Sequence, residues 1–111
     1  MKLSELFTDE SKWVKGMFHG FRSNPTDQPR PTITIHANCH CLMGGARICV
    51  ADREPFQDRI RLAIAKLFPD RTQSDGSVSI AAFNDDDRTT FADVQAVIKE
   101  IEKEYACSQS T

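Results

Sequence analysis

The segment Ile35–Asp52, IHANCHCLMGGARICVAD, limits what this chain can build more than any other stretch. It holds two of the three histidines, three of the four cysteines and the only Gly-Gly pair. From Leu42 onward, Leu42, Ala46, Cys49 and Val50 fall at helical spacing and give a short helix one apolar face. Gly44 and Gly45 each weaken that helix by about 1 kcal/mol relative to alanine. Glycines in such a place point to a close approach, by another helix or by a ligand. Cys39 and Cys41 fall at or just before the helix N-terminus. Unpaired N–H groups and the helix dipole lower a thiol pKa there and favour a bound anion. Arg47, on the same helix, adds positive charge.

A chain of 111 residues suits one domain with a single hydrophobic core. Its net charge of −2 argues against a protein that grips nucleic acid through bulk charge. No apolar run approaches the roughly 20 residues that span a bilayer, and Met1–Lys12 has no apolar signal block. The expected setting is therefore a cytosol, with reduced thiols.

In chain order, Leu3, Leu6 and Phe7 suggest an amphipathic helix over roughly residues 2–12. Trp13, Val14, Met17, Phe18 and Phe21, broken by Gly16 and Gly20, read as an irregular segment packed on the core. Ser23–Pro31, with three prolines, reads as a surface loop. Thr32–His36 alternates as Thr-Ile-Thr-Ile-His and suits a short strand or an extended lead-in. After the cysteine-rich helix, Asp52 is a candidate N-cap and Pro55 fits a first turn. Phe56, Ile60, Ala63, Ile64 and Leu67 keep a 3.6-residue period until Pro69 stops it. Asp70–Ser77 is a loop, and Val78–Phe83 is a brief apolar segment ended by Asn84-Asp85-Asp86-Asp87. Thr90 and Asp93 form a capping box. Val94, Val97, Ile98, Ile101 and Tyr105 then give the clearest amphipathic helix. The expectation is a mainly α, compact single domain over residues 1–106. It would have about four helices, irregular connections, a short β pair at most, and a flexible tail over 107–111.

Three blocks resemble one small family of uncharacterised domains found in bacterial and phage genomes. They are Trp13-x-x-Gly16, Cys39-His40-Cys41-Leu42-Met43-Gly44-Gly45-Ala46, and Ile80-Ala81-Ala82-Phe83-Asn84-Asp85 followed by Arg88-Thr89. The resemblance implies a compact helical domain in a phage or mobile-element setting, and it supplies no catalytic residues. This chain departs from the family pattern in its second glycine, in Phe83 where tryptophan is usual, and in His36 and His40.

Several chemistries compete for these residues. His36, Cys39 and Cys41, with His40 beside them, could hold zinc, whose structural sites take four N/S ligands; the plainer reading is buried, inert thiols. Cys41 with His36 or His19 is the minimum for a thiolate–imidazolium pair. Gly44, Gly45, Arg47, Asn84 and Asp85 could line a pocket for a small anionic ligand, but no phosphate-binding motif is present. The plainer reading there is close packing at the glycines and a local turn at Asn84-Asp85. Asp85–Asp87 lacks the alternation of a calcium loop. Phe7, Trp13, Phe18 and Phe21 read as core, with part of them available as a contact patch. The leading expectation is a small non-enzymatic binding protein without a cofactor. Its partner would be a protein or a small anion, and self-association is reasonable. In a phage setting it would act as an inhibitor or ligand sponge against a host defence component. The alternatives are a cysteine-dependent or zinc-assisted enzyme centred on His36 and Cys41, and a scaffolding subunit.

Overall fold

In chain order the described residues form α1 (Leu3–Leu6), β1 (His19–Phe21), β2 (Arg30–Pro31), β3 (Cys39–His40), α2 (Leu42–Cys49), α3 (Arg53–Leu67), α4 (Ile80–Asp85) and α5 (Phe91–Gln109). This is a computed structural model that describes residues 2–49, 53–73 and 75–109, with side chains at 2–49, 57–73 and 75–103. The side-chain readings at Val50, Asp52, Phe56 and Tyr105 lie outside the described residues.

The two long helices form where their patterns and stop signals place them. At the start of α5 the Thr90 N–H donates to Asp93 Oδ2 at 3.1 Å, and the Asp93 N–H donates to Thr90 Oγ1 at 3.2 Å. These reciprocal bonds satisfy two of the donors that a helix start leaves open. Ile60, Ala63 and Ile64 of α3 are buried with Val94, Val97, Ile98 and Ile101 of α5 in one cluster. Leu62 is exposed, and Leu67, which keeps the apolar period, is also exposed because it is the last residue of α3. Pro69 ends the helix and opens a 3-10 turn, Pro69–Arg71. Arg71 then closes the seam. Its guanidinium carbon lies 5.3 Å from the Phe68 ring centre and 5.8 Å from that of Phe83, and Nη1 donates to Thr89 Oγ1 at 2.7 Å.

The expected count of about four helices becomes five among the described residues. The addition is α4, six residues long, which is too short for its period to stand out in sequence. The Ser79 hydroxyl accepts the Ala82 N–H and caps it. The expected first helix over residues 2–12 is instead α1, four residues long, followed by a 3-10 turn over Glu10–Lys12 that Asp9 caps. The backbone of α5 runs on to Gln109, past position 106.

The β content is a three-stranded antiparallel sheet, ordered β2-β1-β3. Gly20 lies opposite Pro31 on one side and Cys39 on the other. Trp13 adds an isolated parallel bridge to His40 beyond β3. Thr32–His36 is not itself a strand. Its last three residues form a 3-10 turn, and both Ile33 and Ile35 are exposed. Thr32 donates its N–H to His19 O at 3.2 Å, so the neighbouring Pro31 nitrogen faces outward on the sheet edge. Among the described residues no helix is long and apolar enough to cross a membrane.

Candidate functional site

The start of α2 is built from three distant parts of the chain. Asn84, fully buried on α4, accepts the Leu42 N–H at 3.0 Å and the Trp13 indole N–H at 2.6 Å through Oδ1. Its Nδ2 donates to Val14 O at 2.9 Å and to Asp85 Oδ1 at 3.0 Å. Both lone pairs and both hydrogens of the amide are thereby used. Asp85 Oδ1 also accepts the Gly16 N–H at 2.8 Å. Gly16 has φ +78°, a left-handed conformation in which a glycine avoids strain. Cys41 completes the cap, its Sγ accepting the Gly44 N–H at 3.2 Å. The three blocks that carry the family resemblance therefore meet at one junction.

The glycine pair serves close packing in the structure. A Cβ on Gly44 would sit 2.2 Å from the Phe18 carbonyl oxygen, so α2 rests directly on the backbone leading into β1. A Cβ on Gly45 would sit 2.5 Å from the Phe7 ring. Arg47 lays its guanidinium 4.8 Å from the Phe18 ring centre. Asn84 and Asp85 thus come together beside Cys41, Gly44 and Gly45 pack against neighbouring chain, and Arg47 engages Phe18.

Behind the junction, His19 and His40 face each other across β1 and β3, with Nδ1 to Nδ1 at 2.9 Å and rings edge-on. A bond between two imidazole nitrogens needs at least one neutral ring. Burial, and then the proximity of His19, pushes His40 down to about 4. Burial, and then Arg47, lowers His19.

The structure gives the thiols a character opposite to the one expected at a helix start. Burial raises Cys41 and outweighs the lowering by the Gly44 and Met43 N–H groups, with Asp85 adding to the rise. Burial also raises Cys39, against an opposing effect of Arg22. A protonated, buried thiol is a poor nucleophile. Cys41 lines a cleft of about 220 Å³ with Gly16, Met17, Phe18, Ala81 and Asp85. His36 is exposed and lines a different depression, with Phe21, Arg30, Pro31 and Thr32. Among the described residues, no three His, Cys, Asp or Glu side chains group as a metal site.

The aromatic cluster divides. Phe7 and Trp13 belong to the core, whereas Phe18 and Phe21 are 47% and 44% exposed. Ile33 and Ile35 are 61% and 82% exposed, which is unusual for branched aliphatic side chains. These groups share a region of distinctive charge. Residues 11–49 carry Lys12, Lys15, Arg22, Arg30 and Arg47 against one acid, Asp27. The remaining positions carry nine Lys or Arg against 15 acids. The net charge of −2 averages this asymmetry away, so the signal was present in sequence as a split between segments. In the helical part, cations pair with local acids: Arg61 with Asp58, Lys66 with Glu100, and Arg88 with Asp70 and Asp86.

No curated protein and no solved structure matches this chain. A family model described as a family of unknown function, DUF6197, matches residues 3–104, a span that takes in all three sequence blocks and the junction they form, and the chain belongs to that family.

Proposed function

We propose that this chain is a non-catalytic binding protein that acts through its sheet-bearing part. The observation that carries the reading is the coincidence of exposed Phe21, Ile33 and Ile35 with the cation-rich segment 11–49. Contiguous exposed apolar groups mark an interaction surface. The biological setting in this reading is the phage or mobile-element context that the sequence resemblance implies: the protein would act inside a bacterial host, as an inhibitor of a defence component. It needs no cofactor for that role. The raised Cys41 thiol and the separation of His36 from the Cys41 cleft weigh against the cysteine-enzyme alternative.

The test is phage plating on bacteria that carry single defence systems, with and without this protein. The expected result is restored plating against one system, retained by Cys41→Ser and lost with Ile35→Asp. Loss with Cys41→Ser, in a variant that circular dichroism shows to be folded, would move the reading to the enzyme. No rescue against any system would refute the inhibitor role.

A further inference from the structure

Resting on the binding reading above, we infer that the partner presents an acidic protein segment with apolar anchor residues. It seats in the depression formed by Phe21, Arg30, Pro31, Thr32 and His36.

The depression measures about 420 Å³, the volume of a few side chains rather than a domain. Phe21 forms one wall, and Arg30 lies directly opposite it across the β1–β2 pair. Ile33 and Ile35, both exposed, lie in the short segment between Thr32 and His36, two residues that line the depression. Nothing in segment 28–49 is acidic. Arg30 is exposed, and among the described residues no carboxylate pairs with it, unlike Arg61, Arg71 and Arg88. An unpaired guanidinium beside an aromatic ring, next to exposed isoleucines, complements a carboxylate that arrives with an apolar neighbour.

Other classes of partner fit less well. Single-stranded nucleic acid is held by bases stacked on successive aromatic side chains, and Phe21 is the one Phe, Tyr or Trp that lines this depression. Arg30 is the one Lys or Arg lining the depression, too few cations to track a phosphate backbone or an anionic bilayer. Strand addition is disfavoured because Pro31 removes a donor from the outer edge of β2. The contact must therefore run through side chains.

The probe is a synthetic peptide of four glutamates around two leucines, titrated into the isotope-labelled full chain and followed by amide chemical shifts. The expected shifts centre on Phe21, Arg30 and Thr32–His36. The glutamine version should bind about tenfold more weakly, as should Arg30→Glu with the acidic peptide, and added salt should weaken binding. Ile35→Asp should remove it. Equal binding of the glutamine peptide would overturn the acidic partner. So would shifts confined to other surfaces, or preferential binding of oligothymidylate or phosphatidylglycerol vesicles to this one. Shifts of the same residues on raising the protein concentration alone would assign the surface to a second copy, and would also overturn it. Plating rescue that survives both Arg30→Glu and Ile35→Asp would leave the binding reading standing and remove this surface from it. Peptide binding here without any plating rescue would overturn the defence-inhibitor role alone.

Discussion

Acidification from pH 7 to 4.5 should cost this protein a large part of its stability, through the buried imidazole pair. In the folded chain His40 is only 5% exposed, and burial and His19 hold it at about 4 against an ordinary value of 6.5. The folded pKa is the lower one, so between these values the unfolded chain binds more protons. Stability is complete above the ordinary value and falls as pH drops towards 4. The difference between the two pKa values corresponds to about 3 kcal/mol, most of it lost by pH 4.5. His19, lowered by burial and by Arg47, acts in the same direction. Carboxylates held below their ordinary range, such as Asp86 beside Arg88 and Glu100 beside Lys66, contribute mainly at lower pH. The window is therefore largely the imidazoles' own. For a small domain this loss is a substantial share of a total of roughly 5–15 kcal/mol. The assay is urea unfolding at pH 7 and 4.5, followed by the fluorescence of Trp13, the single tryptophan. His40→Asn keeps an amide near the position of Nδ1 and does not titrate, so most of the pH dependence should vanish in it. A flat profile in the native chain, or an undiminished slope in His40→Asn, would refute the argument.

Three further outcomes follow from the packing. Asn84→Ala strands the Leu42 N–H, the Trp13 indole and the Val14 carbonyl, and should cost about 3–5 kcal/mol in chemical denaturation, or prevent folding at 37 °C. Gly44→Ala drives a methyl into the Phe18 carbonyl and should cost about 3 kcal/mol or more. Gly45→Ala meets the Phe7 ring, which can shift, and should cost less; thermal melts of the pair test that order. Arg71→Met leaves Asp93 and Thr89 without their cation and should lower stability by about 2 kcal/mol, measured by the same melts.

Sequence reasoning succeeded where a pattern was long or a cap was local. The Thr90–Asp93 box and the Pro69 stop both act within a few residues, so α3 and α5 could be placed from composition and period alone. It failed where elements were shorter than their own period. The strands are two or three residues long, and α4 spans less than two turns. Thr32–His36 shows the opposite error. Its alternation implies one buried face, yet both isoleucines face solvent, because the pairing with β1 ends at Thr32. At the candidate site, the sequence indicated Cys41 at a helix start and a close approach at the glycines. It contained no local signal that Asn84 would supply the cap, or that burial would outweigh the helix dipole at the thiol. The exposed apolar surface was hidden for a related reason, since exposure depends on neighbours that arrive from other segments.

The cap on α2 also dictates an order of events during folding. Eight residues containing two glycines cannot hold a helix alone. The group that receives the first N–H of that helix, on Asn84, lies 42 positions away, and the indole bound to the same oxygen lies 71 positions from Asn84. Closing such loops is slow compared with forming a local turn. α2 should therefore gain protection late, in the same step that buries Trp13. Refolding followed by indole fluorescence and by hydrogen exchange at Leu42 should give one shared rate, with α5 protected earlier.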